Sequence, residues 1–280
     1  MTPKKLTFVL LLFVLGLCSR AFAQLEVRID TPRREYVAGE QVNLVVTITN
    51  HTDSSISLTS TPGRSWMYVQ VARYGDPTPM TPVTRPRYND LVINPGARRS
   101  ITIALKPYFQ LDREGSYRAS VTLRLPDMQT TYTSNNAPFS LSNGGVLRNY
   151  TVQVRGQRLN TSVRLLSVKG KTYLFGQVSN ADTKIPVGAC CFGPYLNFME
   201  PRVLLDNKQN LHLLCQNSPQ FYTYAIMDTF GALRKVEVMQ RTGGLCDLVS
   251  TGGGIRCVGL VPYKAPKKAT DRLHSASERP

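Results

Sequence analysis

From Leu25 to Val154, aliphatic and polar residues trade places through a series of short segments, the period-two signature of strands with one buried face. The clearest is Val42, Leu44, Val46 and Ile48, set off by Asn43, Thr47 and Thr49 and preceded by the turn Ala38-Gly39-Glu40. Four aliphatics then share one face of an antiparallel strand. The same alternation predicts strands over Leu25 to Ile29, Ile56 to Thr59, Trp66 to Arg73, Arg99 to Leu105, Tyr117 to Leu125 and Leu147 to Val154. Turn clusters at Thr61-Pro62-Gly63, Asn94-Pro95-Gly96 and Glu114-Gly115-Ser116 separate them. Short strands at this spacing predict an all-β chain that begins with a two-sheet sandwich over residues 24–155.

The second half repeats itself. Val203 to His212 can be laid over Asp247 to Arg256, an offset of 44 residues from Asp206 to Ser250. Each copy reads strand, polar turn, strand. The first continues with Phe221 to Met227, the turn Asp228-Thr229-Phe230-Gly231 and Leu233 to Met239, enough for a four-stranded propeller blade. A vaguer copy runs through Val163 to Val168, Lys169-Gly170 and Thr172 to Val178. Too few copies are present to close a propeller, so residues 156–263 are expected to form an antiparallel meander with blade-like repeats, open or completed by other chains in an oligomer. Residues 264–280, rich in Lys, Arg, Ser and Pro, are expected to be a disordered basic tail.

The progression Ala38-Gly39-Glu40-Gln41-Val42, Thr47-Ile48-Thr49-Asn50, Asn94-Pro95-Gly96 and Gly115-Ser116-Tyr117-Arg118-Ala119 resembles the bacterial immunoglobulin-like sandwiches of secreted proteins and of some proteinase-inhibitor-like modules. The resemblance covers about residues 25–155. It implies that Tyr117 forms a corner, its hydroxyl bonding back to the chain. Ala119 stands where antibody domains carry a Cys, which implies a sandwich of the bacterial kind.

Lys4 and Lys5, the apolar run Leu6 to Leu17 and the small-residue pattern Ala21-Phe22-Ala23 predict a secretory signal peptide over residues 1–23. The run is about 12 residues, short of the roughly 20 that span a membrane, so no transmembrane segment is expected in the mature chain. Leu17 is too large to precede a lipid-modified Cys18. Loss of Lys4, Lys5 and Arg20 with the leader lowers the net charge from +16 to +13. The excess is spread along the chain, which favours an anionic envelope or extracellular partner over nucleic acid.

Five of the six cysteines remain after the leader: Cys190, Cys191, Cys215, Cys246 and Cys257. If Thr251 and Gly252 centre a hairpin, Cys246 and Cys257 face each other across it, close enough for a disulfide in an oxidising compartment. A second bridge is expected from Cys215 to Cys190 or Cys191. The adjacent Cys190-Cys191 lacks metal or redox spacing. Three His and no nucleophile elbow or phosphate loop leave no catalytic, cofactor or metal residue to nominate. His212 reads as a strand histidine, and Asp206, Asp228 and Asp112 as turn formers. Gly252-Gly253-Gly254 reads as a hairpin turn. Trp66 and Tyr68 share a face that is core before it is a glycan platform. Asn50, Asn149 and Asn160 begin glycosylation sequons. The expected protein is exported and non-catalytic. It would bind an envelope or extracellular protein or an anionic glycan. Its alternatives are a proteinase inhibitor acting through the Pro- and Arg-rich loop of Tyr74, Arg85 and Arg87, or a glycan-active enzyme.

Overall fold

The computed structural model describes residues 25–61, 63–125, 130–252 and 254–264. The expected leader, its cleavage point and all but the first residue of the expected tail lie outside them. The fold is all-β, and its described residues form two compact units: 25–36 with 41–142, and 37–40 with 143–264.

The strands of the first unit are β1 (Leu25–Asp30), β2 (Glu35–Val37), β3 (Asn43–Asn50), β4 (Ile56–Leu58), β5 (Met67–Arg73), β6 (Leu91–Ile93), β7 (Arg98–Ala104), β8 (Gly115–Arg124), β9 (Thr131–Thr133) and β10 (Ala137–Ser142). One sheet has the order β1-β3-β7 and the other β2-β10-β8-β5, with β9 also on β8 and a small β4-β6 pair beside them. Alternation builds the core. Val42, Leu44, Val46 and Ile48 are all fully buried, and β8 sends in Tyr117, Ala119, Val121 and Leu123. These side chains meet Leu25, Val27 and Ile29 of β1 and Phe139 and Leu141 of β10 in one cluster. The Tyr117 hydroxyl donates to the Arg113 carbonyl at 2.7 Å, and its ring stacks on Phe139 with centroids 5.5 Å apart. Trp66 and Tyr68 do not share a face. The indole is buried in the core and donates to the Asn89 carbonyl, whereas Tyr68 is half exposed beneath the Arg124 guanidinium.

The second unit starts earlier than the pattern predicts. Its strands are β11 (Gly145–Val154), β12 (Gln157–Val168), β13 (Lys171–Asn180), β14 (Pro186–Pro194), β15 (Arg202–Leu205), β16 (Leu211–Gln216), β17 (Phe221–Met227), β18 (Leu233–Arg241), β19 (Asp247–Thr251), β20 (Gly254–Val258) and β21 (Leu260–Pro262). β11, expected as the last strand of the sandwich, pairs along its length with β12. The boundary therefore falls after Ser142, not after residue 155. The small sheets follow one another in a propeller-like manner. The meander β11-β12-β13-β14 is followed by β15-β16-β17-β18 with β21 added at its edge, then by the hairpin β19-β20. The middle sheet supplies two cores through its two faces. Leu211, Leu213, Cys215, Ala225 and Met227 join Val163, Leu174 and Phe192. Leu214, Tyr222 and Tyr224 join Cys246 and Leu248 of the hairpin.

Asp206 and Asp228 build the same turn twice. Asp206 Oδ1 accepts from the Lys208 and Asn210 amides, and Asp228 Oδ1 from those of Phe230 and Ala232. The left-handed position is filled by Gln209 in one and by Gly231 in the other. Both aspartates are turn formers, as their sequence context indicates.

Neither expected disulfide is present among the described cysteines. In the hairpin Thr251 faces Gly254 and Cys257 faces Leu248, so the turn is centred one position beyond Thr251-Gly252 and Cys246 stands diagonal to Cys257. Cys190 and Cys215 belong to the same core cluster. Cys190 feels the charges of Glu40 and Asp228, whereas Cys215 lies by Tyr195. Cys191, next along β14, points to the opposite face from Cys190. Burial pushes the Cys215 thiol up to about 12 and the Cys257 thiol up to about 11, so both are protonated, weak nucleophiles at neutral pH.

Candidate functional site

The first unit carries an open groove of about 870 Å³ beside β1. The segment Leu-Glu-Val-Arg-Ile-Asp makes its floor. Leu25, Val27 and Ile29 turn into the core, so Glu26, Arg28 and Asp30 must face out. The far wall is Asn135 to Pro138. Asn135 holds the two together: its Oδ1 accepts from the Ile29 amide at 2.9 Å and its Nδ2 donates to the Ile29 carbonyl at 3.0 Å. The side-chain amide thus takes the place of a neighbouring strand at one point of an otherwise open sheet edge.

The groove mixes charges. Arg28 donates to Glu26, and His51 lies 3.5 Å from the other Glu26 oxygen. The Arg28 hydrogen bond, helped by His51, holds the Glu26 carboxyl below the usual range. Asp30 Oδ1 accepts from the Thr31 amide at 2.8 Å. Arg34 and Arg98 line the groove and are exposed, with no ion pair among the described residues. Thr31, also in the lining, is only 5% exposed, and its Oγ1 has no hydrogen-bond partner among the described residues. Such a hydroxyl costs about 1–3 kcal/mol while unsatisfied.

None of the candidate site residues nominated from sequence lines this groove. Tyr74 is 77% exposed and Arg85 and Arg87 are exposed, in a loop tied down by Met80 N to Val71 O and Val83 N to Tyr108 O. Arg34, Arg98, Thr31 and Asn135 went unmarked. The one local signal was the charged face of Glu26, Arg28 and Asp30, because Asn135 arrives from 106 residues away.

A second polar cluster is closed. His212 Nδ1 lies 2.7 Å from the Tyr224 hydroxyl and its Nε2 3.3 Å from Asp206 Oδ2, all three largely buried. Burial pushes the Tyr224 hydroxyl up to about 12. Burial alone would raise the Asp206 carboxyl, but hydrogen bonds from Asn210, His212 and Lys208 outweigh it and hold the carboxyl low. His212 is a satisfied strand residue, as its context indicates. A depressed carboxyl stabilises the fold above its unfolded value of about 3.9, and this stability disappears as pH falls through the lower folded value. Asp206→Asn is therefore expected to flatten the acid limb of stability below about pH 4, measured by denaturant unfolding at each pH. An unchanged acid limb would show that the network contributes nothing.

Among the described residues no group of three His, Cys, Asp or Glu is placed to hold a metal ion, and no helix is long and apolar enough to cross a membrane. No family model matches the chain, and no curated protein matches it. Among solved structures it is similar to Spo0M, a sporulation control protein from Bacillus subtilis, at 7% identity and a TM-score of 0.31, covering 59% of this chain and 83% of that one. It is also similar to the Pseudomonas fluorescens alkylpurine DNA glycosylase AlkC bound to DNA containing an abasic site analog. There the identity is 13% and the TM-score 0.27, covering 46% of this chain and 33% of that one. The chain thus spans a third of the glycosylase's length. Likenesses this distant carry no argument about function.

Proposed function

We propose that this is an exported, non-catalytic binding protein whose first unit is an immunoglobulin-like sandwich and whose partner is an anionic surface of the envelope or extracellular matrix. The fold reading draws on the order β1-β3-β7 against β2-β10-β8-β5 and on the Tyr117 corner. The function reading rests on one observation. Arg34, Arg85, Arg87, Arg98, Arg99 and Arg118 of the first unit are exposed and make no ion pair among the described residues. Guanidinium groups left uncompensated on a mature chain of net charge +13 raise the local concentration of anionic partners and speed encounter. The blade-like second unit would serve assembly or spacing.

The protein is expected to cosediment with the envelope fraction of its own cell at low salt and to be released at about 0.5 M salt, where the Debye length falls to roughly 4 Å. Failure to bind at low salt would overturn the reading. Binding that salt leaves intact would overturn its electrostatic basis.

A further inference from the structure

Resting on the reading above, we propose that the groove beside β1 is a binding site for a carboxylated polysaccharide of the uronic-acid kind. The lining has what such a chain requires. Arg34 and Arg98 bring guanidinium groups that no carboxylate of the described protein neutralises, the donor geometry suited to a sugar carboxylate. Asp30 spends Oδ1 on the Thr31 amide and keeps Oδ2 to accept from a sugar hydroxyl.

The same features disfavour an acidic peptide. Strand addition needs a free run of backbone groups, yet the Ile29 amide and carbonyl are taken by Asn135 and the Thr31 amide by Asp30. Glu26 and Asp30 in the lining repel a uniformly acidic chain but accept hydroxyls from a sugar. The groove's volume of about 870 Å³ lies in the range of small-ligand sites, roughly 300–1,000 Å³, and suits a few sugar rings.

The test is calorimetric titration of the exported full chain with hexagalacturonate, with neutral maltohexaose and with hexaglutamate. Hexagalacturonate alone should bind. The double variant Arg34→Ala/Arg98→Ala should weaken it about tenfold or more, the scale of a lost charged hydrogen bond. Arg99→Ala makes the same charge change on a residue outside the lining and should leave affinity within about twofold.

Equal binding of maltohexaose, tighter binding of hexaglutamate, or equal losses from Arg98→Ala and Arg99→Ala would each overturn the proposal. If hexagalacturonate fails to bind while the protein still cosediments with envelope in a salt-sensitive way, the groove assignment falls and the broader function stands. If both fail, both fall.

Discussion

Gly188→Ala is expected to destabilise the second unit by about 3 kcal/mol or more. Gly188 lies in β14, where an added Cβ would sit 2.0 Å from the Phe230 carbonyl oxygen and 3.3 Å from the Gly231 Cα. The obstacle is backbone of the turn after β17, which Asp228 pins through two amide hydrogen bonds. Neither side can yield cheaply. Gly231, facing it with positive φ, is boxed in the same way, its Cβ position 2.4 Å from the Gly188 carbonyl carbon. Gly156→Ala is the control. That glycine also has positive φ but nothing within 4 Å of the added atom, so only the left-handed penalty of about 1–2 kcal/mol applies. Trp66, the only tryptophan, lies in the first unit's core, so its fluorescence reports that unit while far-UV circular dichroism reports both. In Gly188→Ala the dichroism transition should move to lower denaturant ahead of the Trp66 transition. Equal destabilisation by the two alanines would refute the close-approach argument.

The strands of the first unit were legible because alternation records burial directly. Val42 to Ile48 and Tyr117 to Leu123 each place a side chain in the core at every second position, and water's exclusion of apolar surface is what the sequence encodes there. Alternation says which face is buried but not which strand lies next to it. β11 therefore read as the last strand of one sheet when it is the first of another. The hairpin register escaped for a related reason. Gly252-Gly253-Gly254 lets a turn sit at more than one position at little steric cost, and the choice is made by packing. With Leu248 opposite Cys257, both side chains reach the cluster around Leu214, Tyr222 and Tyr224. The groove was half legible. The charged face of β1 is plain in Leu25 to Asp30, but Arg98 arrives through β7 and Asn135 through the link between β9 and β10, and no local pattern announces a contact made by a tertiary fold.

Asn50→Ala is expected to cost the first unit about 3 kcal/mol, because it orphans several buried polar groups at once. Asn50 is fully buried. Its Nδ2 donates to the Ser54 carbonyl at 2.8 Å and to the Ile93 carbonyl at 3.0 Å. Its Oδ1 accepts from the Thr52 amide at 2.9 Å and the Thr52 hydroxyl at 2.7 Å. A side chain so engaged is not an available acceptor for glycan in the folded protein, whatever its sequon. Thr52→Val removes a hydroxyl that donates to Asn50 Oδ1 and to the Ser54 carbonyl and accepts from the Ser54 amide, but at a half-buried turn where water replaces it, and should cost about 1 kcal/mol. The effect also reaches the groove. Asn50 ends β3 opposite Leu25 of β1, and the next residue, His51, approaches Glu26 in the groove's lining. Loosening that corner should weaken hexagalacturonate binding by Asn50→Ala even at temperatures where the variant is still folded. Denaturant unfolding followed by Trp66 fluorescence checks the stability ranking. A loss below about 0.5 kcal/mol for Asn50→Ala, the size of an ordinary surface change, would mean that water replaces the amide and that this corner does not hold β1 in place.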